Sequence, residues 1–348
     1  MRRFTCECGS PVGFEHTQCS ACGAHLAYDV NAQRMRSLRA EGEHWRCLDN
    51  GELRHLCQNG VQYQVCNWLA EPTSPHHFCF ACGFNRTVPN QSLPDNQLRW
   101  QVLERAKKRL FVTLLQLDLP LQSGWQEPDR GLLFDFIEDE RSQPNHFAET
   151  FVSTGYAAGV ITINALEADD VQRMTVRKAM NESYRTVLGH MRHESGHYYW
   201  GRVLERRELV RAVERVFGQM HTDYQQALEV YYQYGAKSGW TDDYISAYAS
   251  AHPVEDWAET WGHYLHIYDA LDTAYAHGQI QKGPDELTMA QRIQHWCDIS
   301  IVLNELNRSI GLEDAYPFYI GPVVQEKLAL IDKVVAVLRQ TPQMWLWA

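Results

Sequence analysis

The run His193-Glu194-Ser195-Gly196-His197 places two imidazoles four residues apart, with a glutamate beside the first. On a helix, positions four apart share a face, so His193 and His197 can offer neutral nitrogens to one metal ion from adjacent turns. Zinc held by two histidines and one carboxylate keeps a further position for water and lowers that water's pKa, and Glu194 stands where it can take the proton. The chemistry to expect is attack of activated water on a polarised carbonyl. Val187, Leu188, Met191 and Tyr198 recur at helical intervals around the motif. Gly196 inside such a helix costs roughly 1 kcal/mol against alanine, which points to close approach of another chain segment or of substrate.

The cysteines supply a second kind of ligand. Nine of the ten precede residue 83, and closely spaced pairs in a reducing compartment are better read as metal ligands than as disulfides. Cys6 and Cys8, then Cys19 and Cys22, form a C-x-C and a C-x-x-C pair followed by glycines, four thiolates suited to tetrahedral structural zinc. The first pair is one residue shorter than the usual knuckle, which leaves His16 open as a substitute ligand. Cys79-Phe80-Ala81-Cys82-Gly83 repeats Cys19-Ser20-Ala21-Cys22-Gly23 almost letter for letter. Cys57 and Cys66, each opening a turn-like stretch, are expected to complete this second quartet. Cys47, within Trp45-Arg46-Cys47-Leu48, reads as a buried free thiol, and His76 and His77 as surface or packing residues.

These groups need a scaffold, and the chain has material for one. Its 348 residues are 45% hydrophobic and 22% charged, ordinary for a globular protein and long enough for two domains. The break is expected near residue 90, with two zinc-ribbon units over 1–90 and a second domain over 91–348. So small a ribbon region would hardly fold without its metals. A net charge of -11, and a near balance of charge within residues 1–110, argue against nucleic acid as the partner. No apolar run of membrane-spanning length occurs, and the first residues lead into cysteines rather than an apolar signal core, so a cytoplasmic location is expected.

Val88–Asp95 reads as a linker. Asn96–Leu117 follows as an amphipathic helix with Trp100, Leu103, Leu110, Leu114 and Leu117 on its apolar side, and with Lys107, Lys108 and Arg109 as a solvated face. Strands are expected at Leu132–Ile137 and Gly159–Asn164. The second, GVITIN, precedes the motif region and could be an edge strand that receives an extended substrate by strand addition. Further helices are expected over Val203–Tyr234, then a break over Gly235–Asp243. His252-Pro253 then suits a helix start, with Glu255 and Asp256 in its first turn. Glu255, Glu259, His263 and His266 share one face of this helix, and a metal site gives such a face a reason. Glu255 lies 58 residues after His197.

The chain resembles a family of bacterial zinc-ribbon-bearing, zinc-binding metallopeptidases over nearly its whole length. The resemblance rests on the ribbon knuckles and on CNWL (66–69), FCFACGFNRTVP (78–89), ITIN (161–164), GHMRHESGHYYW (189–200) and SAYASAHPVEDWAETWGHYLH (246–266). The stretch YASAHPVEDWA is also similar to the Y-A-x-x-N-P-x-E-F-F-A stretch of gluzincins of the Mlc-titration-factor type, whose glutamate is the third zinc ligand. That likeness carries the third ligand onto Glu255 and leaves Glu259 as the rival, or as an acceptor that orients a histidine. His252, Asp256 and Trp257 depart from the pattern, which bears on the shape of the pocket.

The expected fold class is α+β: a tandem zinc-ribbon region, then a mostly helical zincin-like domain with a small sheet. The expected activity is zinc-dependent hydrolysis of a peptide or related amide bond. It would use one catalytic zinc and two structural ones, with Glu194 as general base and His263, Tyr264 or His266 as candidates for oxyanion stabilisation. The competing expectation is a protein-binding module in which the ribbons recognise a partner and the zincin domain is idle. An intact Glu194 speaks against it.

Overall fold

A computed structural model of the chain describes residues 3–142, 151–179, 182 and 184–339. The architecture is α+β, with small sheets preceding a mostly helical region. The chain forms two compact units. One takes the described residues of Arg2–Gln116 and Leu121–Arg173; the other takes Leu117–Pro120 and the described residues from Met174 onward. Among the described residues no helix is long and apolar enough to cross a membrane.

The first unit begins with a hairpin of β1 (Phe4–Thr5) and β2 (Pro11–Val12). An antiparallel meander of β3 (His25–Asp29), β4 (Arg34–Glu41), β5 (His44–Cys47) and β6 (Leu53–Arg54) follows. In β4 the alternation of Met35 and Ser37 inward with Arg34 and Arg36 outward matches the period of a half-buried strand. Phe14, Tyr28 and Trp68 pack with ring centroids 4.8–6.2 Å apart, so aromatic rings supply much of the buried apolar surface of this region. After α1 (Gln58–Tyr63) comes β7 (Asn85–Thr87), then α2 (Asn96–Gln116). Next are β8 (Leu133–Ile137), β9 (Gly155–Ala157) and β10 (Val160–Asn164), which form a sheet in the order β7-β8-β10-β9.

Two expectations fail in this unit. GVITIN is not an edge: β10 pairs in parallel with β8 along all five residues and antiparallel with β9 at Val160–Thr162. Both its ladders are occupied, so no peptide can add there, and the edge falls to the short β9. The charge run on α2 is not solvated either, since Lys107 and Lys108 are 0% and 4% exposed. Lys107 Nζ meets the equally buried Glu104 Oε1 at 2.7 Å, and Lys108 Nζ donates to Asn67 Oδ1 at 3.1 Å. Only Arg109 keeps substantial exposure, paired with Glu15 at 2.5 Å.

The boundary falls within α3 (Asp170–Ala179), and the second unit continues with α4 (Val187–Leu204), α5 (Arg207–Phe217), α6 (Tyr224–Tyr234) and α7 (Trp240–Asp243). The long α8 (Pro253–Ala276), α9 (Met289–Ser309) and α10 (Pro322–Arg339) complete it. Thr186 caps α4 by accepting from Gly189 N at 2.9 Å. His252 caps α8 by accepting from Val254 N at 3.1 Å, with Pro253 as first helical residue. Most of α8 is buried, including Trp257, Trp261, Tyr264 and Leu265, as befits a helix enclosed by its neighbours.

The contact between α4 and α8 sets the motif in place. Trp257 Nε1 donates to Gly196 O at 2.9 Å, and Trp261 Nε1 to Ser195 Oγ at 3.0 Å. A Cβ on Gly196 would stand 2.9 Å from Ala258 Cα and 3.2 Å from Trp261 Cβ, so the close approach implied by this glycine is that of α8. Gly196→Ala would gain about 1 kcal/mol of helix propensity but force backbone apart, an overpacking cost of roughly 1–3 kcal/mol. The expected result is a net loss, read as a lower thermal midpoint in a melting curve. A midpoint above that of the wild type would show that the two helices separate freely.

Candidate metal centres

Among the described residues three clusters of ligand-type side chains form, each with its ligand atoms within 4.8 Å of one another: Cys6, Cys8, Cys19 and Cys22; Cys57, Cys66, Cys79 and Cys82; and His193, His197 and Glu255. They are the sets named from the sequence.

The first quartet is made by two knuckles. Gly9 N donates to Cys6 O at 2.8 Å and Gly23 N to Cys19 O at 2.9 Å. Both glycines adopt positive φ, +86° and +74°, which closes the turns without a side-chain clash. Cys6 Sγ lies 3.6 Å from Cys22 Sγ, and Cys8 Sγ 3.7 Å from Cys19 Sγ. The shortened C-x-C pair therefore still brings both its sulfurs to the other two. His16 instead turns its Nδ1 to accept from Gly13 N at 3.1 Å. Cys8 and Cys22 are exposed.

The second quartet is more enclosed. Cys57, Cys79 and Cys82 are buried, and Cys66 is half-buried, 3.6 Å from Cys79 in Sγ–Sγ distance. Cys57 precedes α1, and Gly60 in that helix passes so close to Cys66 that a Cβ would meet Cys66 O at 2.1 Å. Lys108 is the nearby cation. Burial pulls its pKa down, but the charges of Cys66, Glu104, Cys82 and Cys79 outweigh this and raise it. Cys47 stays apart, 1% exposed, in a small core with Ala27, Leu38 and Leu69. Burial pushes its thiol up, as expected of an inert cysteine.

In the third cluster His193 Nε2 lies 3.2 Å from His197 Nε2 and 3.0 Å from Glu255 Oε2, and His197 Nε2 lies 3.7 Å from Glu255 Oε1. Glu259, one turn along α8, meets His193 Nδ1 through Oε1 at 2.6 Å and accepts from Ser246 Oγ through Oε2 at 2.5 Å. An Nδ1–H donated to Glu259 leaves the Nε2 lone pair of His193 directed into the cluster. Burial opposes charge on His193, yet Glu255 and Glu259 hold its pKa well above the usual value. Burial and His193 together take His197 down to about 4. For Glu255 burial acts upward, but His193 and His197 bring it to about 2. Glu194 is 6% exposed; burial, then Glu255 and Glu259, push it up to about 7 against the pull of His193.

Removing an outer carboxylate that orients a ligand typically alters metal affinity or activity by about 10- to 100-fold. Glu259→Ala is accordingly expected to weaken metal retention by that much while leaving the site able to fill. Competition with a chelator measures it; a site that cannot be filled at all would make Glu259 itself a ligand.

The three α8 residues considered for oxyanion stabilisation have other partners. His263 Nδ1 bonds with Tyr316 OH at 2.8 Å, Tyr264 OH donates to Asp332 Oδ1 at 2.8 Å, and His266 packs against Trp296 and Tyr316. Tyrosines that the sequence reading passed over come nearer. Tyr224 OH donates to Glu255 Oε1 at 2.5 Å, and the ring of Tyr248 lies 6.0 Å from that of His193. Tyr224 is one of four tyrosines on α6 with no spacing to single it out, whereas Tyr248 opens the YASAHPVEDWA stretch.

Comparison with known proteins identifies the family. The profile of a family described as putative zinc-binding metallo-peptidase matches residues 96–334, and that of a zinc-ribbon domain matches residues 3–93. Uncharacterized proteins of Mycobacterium tuberculosis and Mycobacterium bovis are each 36% identical over 346 residues, covering 96% of this chain and 95% of theirs. No solved structure matches the chain. With two cysteine quartets ahead of a histidine–carboxylate cluster, and with profiles that together span most of its length, the chain belongs to the zinc-binding metallo-peptidase family that this description names and carries an N-terminal zinc ribbon.

Proposed function

We propose that this protein is a zinc-dependent hydrolase of peptide bonds or related amides, with His193, His197 and Glu255 holding the catalytic zinc and Glu194 as general base. The observation that carries the reading is the fate of four carboxylate oxygens. Both oxygens of Glu259 and Oε1 of Glu255 have donors, whereas Glu255 Oε2 is buried without one and faces His193 Nε2 at 3.0 Å. A buried carboxylate oxygen left without a donor is costly unless a cation meets it. This distribution favours Glu255 over Glu259 as the ligand.

Bound zinc supplies a Lewis acid that polarises a carbonyl and acidifies water. Glu194, held near neutrality by burial, takes the proton of the attacking water and returns it to the leaving amine. Cys6, Cys8, Cys19 and Cys22 hold a second zinc, and Cys57, Cys66, Cys79 and Cys82 a third; both are structural. The chemistry divides by region: ribbons over 1–90, with protein recognition as their further task, and the hydrolase over 91–348. Paired thiols of this kind keep their metals in a reducing compartment, which supports a cytoplasmic location.

Element analysis of freshly purified protein tests the reading, followed by turnover of a mixed peptide library with wild type and His193→Ala side by side. The expected result is three zinc ions per chain, two in the variant, and cleavage by the wild type alone. A single zinc, or three zinc ions with an untouched library, overturns it; the latter outcome is that of an idle binding module.

A further inference from the structure

Glu255 offers its two oxygens to different partners, and the division has a visible cause. Oε1 accepts the hydroxyl of Tyr224 at 2.5 Å, while Oε2 faces His193 Nε2 at 3.0 Å. Tyr224 is the first residue of α6, a helix none of whose residues is buried. Glycines at positive φ flank that helix, Gly218 at +98° before it and Gly235 at +82° after it. The helix is nevertheless tied to the site. The Tyr224 ring packs edge-on against His252, the cap of α8, at 5.1 Å, and His252 Nε2 lies 2.8 Å from Thr222 Oγ1. Tyr231, two turns along, meets Tyr248 at 5.5 Å. Both ends of the Tyr224 side chain are thus fixed to the first turn of α8, the ring by the cap and the hydroxyl by the third helical residue.

We infer that Tyr224 is a positioning residue of the metal centre: by occupying Oε1 it restricts Glu255 to a single ligand oxygen, Oε2, and so keeps a coordination position open for water and substrate. This rests on the assignment of Glu255 as a zinc ligand made above. A carboxylate can bind a metal through one oxygen or both, and a freed Oε1, already 3.7 Å from His197 Nε2, has only to rotate to compete for the open position. The Tyr224 hydroxyl suits the task, since it brings a single donor hydrogen to Oε1. Ser246 and His193 do the corresponding work for Glu259, where neither oxygen is left over.

The test is Tyr224→Phe in the full chain, with Co2+ exchanged into the histidine site and the ribbons left in their zinc form. Phenylalanine keeps the ring against His252 and removes only the hydroxyl. The expected result is unchanged metal content with weaker, shifted visible cobalt bands as Glu255 engages through both oxygens. In the zinc form kcat falls about 10- to 100-fold, the range for outer groups that orient metal ligands, with little change in KM. Thr222→Val, which loosens α6 from His252 without touching the carboxylate, is expected to leave the cobalt spectrum as in wild type. An unchanged spectrum in Tyr224→Phe, or the same change in Thr222→Val, overturns the inference. A spectral change confined to Tyr224→Phe in a protein that cleaves no peptide supports the inference while removing the hydrolase reading.

Discussion

Glu194→Gln is expected to retain zinc at wild-type stoichiometry and to lose hydrolysis by about 100- to 10,000-fold, the usual contribution of a positioned general base. The amide keeps the volume of the carboxylate, so the contacts that set His193 and His197 through α8 are undisturbed. It cannot accept a proton. The change also removes a buried acid whose pKa is pushed to about 7 by burial, so the variant should be no less stable than the wild type near neutral pH. Zinc content, a melting curve and peptide turnover on one preparation decide the matter. Activity within a few-fold of wild type would remove Glu194 from the mechanism, and loss of zinc would make it a ligand.

The other large effect is expected at the second cysteine quartet. Cys57→Ala should lose one zinc per chain and unfold the ribbon region, because structural zinc contributes about 10–16 kcal/mol of apparent binding energy that is also folding energy. Three remaining thiols, with Cys57 withdrawn from beside Cys79 N, leave the tetrahedron open. Cys47→Ala removes one sulfur from a small apolar core, a cavity effect of on the order of 1 kcal/mol that leaves all metals in place. Zinc release monitored with a colorimetric chelator, together with far-ultraviolet circular dichroism, separates the two. Should Cys47→Ala release zinc and Cys57→Ala retain it, the quartet is closed by the other cysteine.

What the sequence revealed follows from the range of the interactions involved. Both cysteine knuckles and the His193–His197 pair are local patterns: the ligand atoms are brought together by one turn or one helical step, so spacing alone locates them. The start of α8 was legible for the same reason, since His252 and Pro253 act on the helix they begin. Lys107 and Lys108 were misplaced because a run of cations says nothing about the anions that enclose it. Glu104 is on the same helix, but Asn67 and Cys66 lie about forty residues away in sequence. The standing of β10 depended on β9, three residues with no strand signature of their own. Tyr224 finds Glu255 across thirty-one residues from a helix in which no residue is buried.

The sheet order has a consequence for anyone who divides the chain. The zinc-ribbon profile stops at residue 93, yet β7, shortly after Cys82, pairs with β8 at Leu133–Ile137, and Arg86 pairs with Asp135. Glu104, beside Cys82 Sγ at 3.6 Å, and Lys108 also lie past that boundary. A fragment ending at residue 93 would strip β7 of its neighbour and the second quartet of its counter-charge, whereas one reaching residue 173 keeps both. The ribbon region is therefore no cassette detachable at residue 93: its second quartet and β7 are finished by chain that sequence comparison assigns to the peptidase, and an exchange between proteins has to carry that stretch along.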